Sequence, residues 1–284
     1  MVVVMQVGAP EAHVENVIQR LSAKGFDVLR TSGQQQTVLC AIGVQRDFQL
    51  RQVRILDGVA EVYRITTPYK LASRTWQKER TVVHLGNVAV GGNEVLLMDE
   101  ISADMVDISE SVDVESSEGE VNLYHISAGN MQNNSLLRAV GRTQTPVLLR
   151  RNSLASVQEW LVSAEVILTG GNPNVILCEG ASRPFAVGEP SSFFRPVDIA
   201  IIPEVKETTH LPIVVDPTFS RGGLRHQFPV TRSAVAAGAD GIWVKFSTTD
   251  SAGAVVDENH QHEISGLIKE LELIALAIGR SLRG

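Results

Sequence analysis

One pattern governs the larger part of this 284-residue chain: from residue 95 to the end, short apolar runs alternate with segments of helical periodicity. The runs are Val95–Met98, Val121–Ile126, Val147–Arg150, Val175–Cys178, Ile213–Asp216 and Gly241–Phe246. Between them, helices are expected over Gln132–Gly141, Leu154–Thr169, a short segment around Asp198–Glu204, and Val230–Ala237. A closing helix over Glu263–Leu282 sets Ile264, Leu267, Ile268, Leu271 and Ala275 on one face. Strands that are apolar throughout are buried on both sides, and helices between consecutive strands make them parallel. The fold class expected is therefore α/β, a covered parallel sheet or a barrel. Chemistry in such folds gathers at the carboxyl ends of the strands.

The first 66 residues follow a different rhythm. Val2–Val7 reads as a strand, and Pro10 opens a helix with Val14, Val17, Ile18 and Leu21 on one face. Phe26–Leu29 and Thr37–Ile42 are strand-like around Ser32-Gly33. Phe48, Val53 and Leu56 support a second helix, and Val59–Ile65 closes the unit. This βαββαβ order is that of a ferredoxin-like domain, either a packing and assembly module or a ligand sensor. Residues 67–94 form a connector ending in a hairpin, Val82–Leu85 with Val88–Val90, and residues 95–284 form the α/β domain.

Charge and composition exclude several classes of function. The formal charge is −7 and no Lys/Arg stripe is present, which argues against phosphate-neutralising nucleic-acid binding. The two cysteines, Cys40 and Cys178, make neither a disulfide framework nor a zinc-like spacing. The opening MVVVMQVGAPE lacks a basic segment, and no run reaches the ~20 apolar residues of a membrane span. A cytoplasmic protein with no membrane partner is expected. One segment breaks the alternation: Asp99 to Glu120 carries nine acidic residues and no Lys or Arg. A solvated, mobile loop is the expectation there. A carboxylate metal cluster is the alternative, although the spacing fits no Ca²⁺ loop.

Five stretches carry a resemblance: PYKLASR (68–74), PVLLRRN (146–152), VILCEG (175–180), HLPIVVDP (210–217) and AVAAGADGIWVK (234–245). They resemble 3-deoxy-D-arabino-heptulosonate 7-phosphate (DAHP) synthases of the type with an N-terminal ferredoxin-like regulatory domain. The resemblance implies a β/α barrel that uses a metal to condense phosphoenolpyruvate with erythrose 4-phosphate. It also implies homo-oligomers and inhibition by an aromatic amino acid through the small domain.

At the sites that matter, the sequence departs from that pattern. The metal of the family is held by a Cys, a His, a Glu and an Asp. Those positions fall near Ser102, on Phe219, on Lys245 and on Asp257. Only the last keeps a ligand, and a dication needs several anionic or imidazole donors. No metal and no other cofactor is therefore expected. Two arginines that contact phosphoenolpyruvate in the family are Gly129 and Gly180 here, and the Lys-Pro-Arg-Thr-Ser-Pro loop is absent. The Lys-Arg pair persists as Arg150-Arg151. Between the first strand and the segment at 123–130 the family has two further β/α repeats, each of about 30 residues, which the acidic tract is too short to supply. The expected architecture is thus an incomplete, about six-stranded TIM-like barrel, either re-closed or, as favoured, open with its edges covered by a partner chain or the tract.

The residues placed at the strand ends give the candidate site: Lys245, Glu179, Asp216 and Asp257 for catalysis, and Arg150, Arg151, Arg183, Asn130, Gln132, Phe219 and Trp243 for substrate binding. Lys245 is either an internal replacement for the lost cation or an acid–base or Schiff-base lysine. Glu179 and Asp216 are either structural carboxylates or general bases. His210, His226, His260 and His262 fall in loops or near termini, and His260 and His262 read as solvated. Two functions follow. One is a metal-independent enzyme of specialised metabolism performing a cyclisation, elimination or aldol-type step on a small molecule. The other is a pseudoenzyme that binds an aromatic ligand or a functional synthase and regulates it. An enzyme would show a deep cavity walled by Phe219 and Trp243, and a regulator a filled centre.

Overall fold

The computed structural model describes residues 1–32, 37–43, 48–63, 68–98, 105–117, 121–180, 197–217, 224–243 and 258–283. The chain divides into two compact units, Met1–Lys78 and Glu79–Gly284.

In the first unit, strands β1 (Val2–Met5), β2 (Asp27–Ser32), β3 (Thr37–Ile42) and β4 (Val59–Tyr63) form one sheet in the order β2-β3-β1-β4. Every pairing in it is antiparallel. Helix α1 (Glu11–Ala23) starts at Pro10, whose fixed φ suits a helix start, and buries Val14, Val17 and Leu21. These side chains meet Val3, Met5, Leu39, Ala41 and Val62 in a core of their own. Helix α2 is a single turn, Arg51–Arg54, that buries only Val53. The order βαββαβ is the ferredoxin-like one.

The second unit begins with a hairpin, β5 (Val83–Leu85) and β6 (Val88–Val90). A parallel sheet of eight strands follows. Six of them lie at the six apolar runs: β7 (Glu94–Met98), β9 (Leu123–Ile126), β10 (Val147–Arg150), β11 (Val175–Gly180), β12 (Ile213–Asp216) and β13 (Gly241–Trp243). The other two correct the strand count. Strand β8 (Met105–Ile108) and helix α3 (Ser111–Ser117) lie inside the acidic tract, which is therefore not a plain loop among its described residues. The tract supplies one β/α unit where two seemed to be missing. Strand β14 (Ser281–Arg283) replaces the expected end of the closing helix, because Gly279, at φ +75°, ends the helical segment.

The order is β14-β7-β13-β12-β11-β10-β9-β8, parallel throughout. Among the described residues β14 and β8 are not paired with each other, so the sheet is an open barrel. Among the described residues its edge strands are β14, paired to β7, and β8, paired to β9. Besides α3, five described helices accompany the sheet: α4 (Asn134–Gly141), α5 (Val157–Gly170), α6 (Ile201–Thr208), α7 (Leu224–Ala236) and α8 (Glu258–Ala277). Ser156 caps α5 through a complete capping box with Glu159. Helices α4 and α5 cross where Gly141 meets Gly170; a Cβ on Gly170 would come within 2.7 Å of the Gly141 carbonyl oxygen. No side chain larger than hydrogen fits there.

At the amino ends of the strands a fully buried carboxylate, Asp240, ties four elements. It accepts from Lys206 Nζ at 2.7 Å, from Arg280 Nη2 at 3.0 Å and from the Ile213 backbone N–H at 3.0 Å. Arg280 also donates to the Gly92, Glu94, Gly238 and Ala239 carbonyls, which fixes the start of β14 against β7. His210, expected in a loop, is buried and bonded to Thr81 Oγ1 at 2.7 Å.

Candidate functional site

Successive residues of a strand point to opposite faces of the sheet. This divides the expected site residues into two groups. Leu148, Ile176, Val214, Leu123 and Leu96 pack in one interior cluster with Cys178, Met98 and Trp243. Two residues further along β10, β9 and β12, on the same face, stand Arg150, His125 and Asp216. Glu179 falls on the other face, since its neighbour Cys178 is the interior one.

The inner group is a chain of polar contacts. Arg150 Nη2 donates to Asp216 Oδ2 at 2.5 Å, and Arg150 Nε donates to His125 Nε2 at 3.3 Å. His125 Nδ1 bonds Asp107 of β8. Because the guanidinium only donates, His125 Nε2 accepts, and the ring proton sits on Nδ1, facing Asp107. The indole of Trp243 lies under the guanidinium at 5.3 Å and meets the His125 ring edge-on at 5.3 Å and 89°. Asp107 is 78% exposed and His125 8%, so the chain runs from the surface into the interior. Burial works against the Arg150 charge, but Cys178 and Asp216 hold its pKa above the ordinary arginine value. Burial pushes the Cys178 thiol up to about 12, Arg150 pulling the other way, so it is no nucleophile at neutral pH.

The outer group holds loops. Arg151 forks onto Glu179, Nε to Oε2 at 2.6 Å and Nη2 to Oε1 at 3.0 Å, while its Nη1 donates to the Ala155 carbonyl at 2.8 Å. Glu179 Oε1 also accepts the Asp198 N–H at 3.2 Å. This joins the loop before α5 to the turn before α6. Burial raises the Glu179 pKa against the opposing pull of Arg151.

Several expected site residues are not brought together. Asn130 sits in a 3-10 turn, Ala128–Asn130, where its Oδ1 accepts from Asn133 Nδ2 at 3.4 Å. Gln132 is exposed and lines a cavity of about 360 Å³ with residues of α4 and α5, away from the inner chain. Trp243 is interior rather than a cavity wall. Lys245, Asp257, Arg183, Phe219 and Ser102 lie outside the described residues, as does His226 for its side chain and His260 likewise. His262 is exposed. Sequence reasoning passed over Asp107 and His125. A histidine at the inward position of the run Leu123–Ile126 was the available signal.

An open parallel β/α barrel with a polar cluster at its carboxyl ends defines a class, and comparison with known proteins narrows it. Residues 93–274 match the DAHP synthetase I family and residues 1–67 the DAHP synthase ferredoxin-like domain. The chain belongs to the DAHP synthase family. It is similar to a phospho-2-dehydro-3-deoxyheptonate aldolase of Thermotoga maritima, 28% identical over 339 aligned positions, covering 98% of this chain and 99% of the relative. A crystal structure of a Thermotoga maritima DAHP synthase superposes with a TM-score of 0.65 at 26% identity, over 99% of this chain and 98% of that one. A 2-dehydro-3-deoxyphosphooctonate aldolase of Arabidopsis thaliana is 28% identical over 199 positions, 63% of this chain and 64% of the relative.

By the resemblance, the metal positions of the family correspond to residues near Ser102 and to Phe219, Lys245 and Asp257, all outside the described residues; as residue types they suit a dication poorly, since a phenyl ring offers no lone pair and an ammonium repels the ion. Among the described residues, no group of three or more His, Cys, Asp or Glu side chains is arranged to hold a metal.

Proposed function

We propose that this member of the DAHP synthase family does not run the metal-dependent condensation and instead acts as a metal-independent enzyme on a small molecule. The step is a cyclisation, elimination or aldol-type reaction in specialised metabolism, carried out by a homo-oligomer in the cytoplasm. The observation that carries this reading is the presence of Phe219 and Lys245 at two positions where the family has metal ligands. The pairing of Arg150 with Asp216 supports it, because a guanidinium already bound at 2.5 Å by a buried carboxylate is a poor anchor for substrate phosphate. So does length: the aligned positions with the Thermotoga maritima relative number 339 against 284 residues, so stretches of that relative have no counterpart here.

In this reading Lys245 and Asp257 supply the acid–base or amine chemistry, and Arg183 and Phe219 contact the substrate. Arg150, held by Asp216, orients a polar group of the ligand. Glu179 and Arg151 keep the surrounding loops in place.

A second reading, the regulator, is favoured by one observation: Trp243 is 7% exposed and fills the interior with Leu96, Leu148, Ile176 and Val214. A thermal-shift screen separates the two. Stabilisation by apolar polycyclic compounds supports the enzyme, and stabilisation by tyrosine or phenylalanine alone supports the regulator. Stabilisation by Mn²⁺ together with phosphoenolpyruvate, with formation of a heptulosonate 7-phosphate from erythrose 4-phosphate, overturns both.

A further inference from the structure

We propose that the barrel of the second unit is entered from its side: between β14 and β8 lies an opening through which a small polar ligand reaches the Arg150, His125 and Trp243 cluster. The inference goes beyond the function proposed above and holds for either reading of it, because it concerns the way in and not the chemistry.

Topology sets up the opening. In a β/α barrel, neighbouring strands follow one another in the chain. Here β7 lies between β13 and β14, and the strand that follows β7 in the chain, β8, pairs with β9. Strand β14 therefore stands where that next strand would. It is only three residues long. Its register runs from Ser281 with Glu94 to Arg283 with Leu96, two residues short of Met98, the partner of Trp243. At the amino end the way is shut, because Val83, Leu85 and Val90 of the hairpin pack into the interior cluster.

Exposure then locates the entrance. Leu96 is interior, so its partner Arg283, and with it Ser281, lies on the inner face of β14. Met105 packs against the interior cluster, so Asp107, two residues on, lies on the inner face of β8, where it bonds His125. On the strands between, the inner-face residues Leu123, Leu148, Ile176 and Val214 are fully buried. The Asp107 side chain is 78% exposed and that of Arg283 44%. Inward-facing groups thus meet solvent on the two strands that form the edges of the described sheet. From Asp107 the path is one side chain to His125, and His125 touches both Arg150 and Trp243. Asp107 on one side and the Arg283–Glu94 pair on the other make the rim polar, which suits a polar ligand.

Fluorine NMR of the full chain carrying 5-fluorotryptophan tests this, with dissolved TEMPOL, a small neutral nitroxide, as the probe that broadens the signals it can approach. The Trp243 signal, assigned with W243F, is expected to broaden more than that of the fully buried Trp160. A bulky maleimide adduct on R283C, at the rim, is expected to reduce the Trp243 broadening severalfold. The same adduct on L154C, an exposed position in the loop after β10, is expected to leave it unchanged. Cys40 and Cys178 are buried and do not compete for the reagent. Circular dichroism establishes that each adduct is folded, and S281C serves if R283C is not. Broadening of Trp243 no greater than that of Trp160, no reduction by the adduct at position 283, or an equal reduction by the adduct at position 154 overturns the inference.

Discussion

Asp240 is the residue whose removal the fold should tolerate least. D240A leaves the Lys206 ammonium and the Arg280 guanidinium facing each other in the interior and leaves the Ile213 N–H without its acceptor. Removing one partner of a buried ion pair costs about 3–5 kcal/mol, and an unsatisfied buried donor about 1–3. The two penalties share one relaxation and do not add, so the expected loss is about 4 kcal/mol. That is a large share of the ~5–15 kcal/mol by which domains are stable. For the second unit, Glu79–Gly284, it corresponds to a fall of roughly 8–16 °C in Tm. The sign of the pH effect follows from Lys206, whose pKa burial lowers although Asp240 opposes the shift. The folded state sheds this proton more readily than the unfolded chain, so the D240A deficit shrinks as pH rises toward 10. Denaturant unfolding followed by circular dichroism, with the two units fitted as separate transitions, measures the loss. A D240A deficit under about 1 kcal/mol would refute the view that this carboxylate ties α6, β12 and β14 together.

Three further outcomes are expected. Because burial raises the Glu179 pKa, the folded state takes up this proton before the unfolded chain as pH falls, so the wild type gains stability relative to E179Q on acidification and stands relatively lowest at neutral pH, which paired urea titrations check. Deleting residues 281–284 uncovers the outer edge of β7, so the truncated chain should lose thermal stability and elute at higher mass by light-scattering chromatography; an unchanged profile would mean β14 guards nothing. S156A removes the cap of α5 and should lower stability by about 1 kcal/mol in urea titration, with Glu159 losing the Ser156 hydroxyl but keeping the residue-156 backbone N–H that most lowers its pKa.

The parts of the fold that were legible in the sequence are those where burial on both faces leaves an uninterrupted apolar run, as in Val147–Leu149 and Val175–Cys178. Strand β8 was hidden because Met105–Ile108 sits among nine acidic residues, whose charge spoke for solvent more loudly than four residues could speak for a strand. Strand β14 is three residues long and follows a strongly periodic helix, so only Gly279 marked the break. Helix α2 shrank to one turn because only Val53 among its apolar residues is fully buried. At the site, Arg150, Asp216, Arg151 and Glu179 were found by position, but their partition between the two faces depends on strand register, which fixes Arg150 opposite Cys178. The burial of His125 and His210 was not legible for one reason. Each is buried against a partner distant in sequence, Arg150 and Asp107 for the first and Thr81 for the second.

Whether a divalent ion binds is the most direct question to put to this molecule. Electron paramagnetic resonance titration of the purified protein with Mn²⁺ counts free against bound ion at each addition. With an ammonium and a benzyl group among the ligand positions, the signal should follow the buffer blank at every ratio. Loss of free signal up to one ion per chain, in the micromolar range, would contradict it.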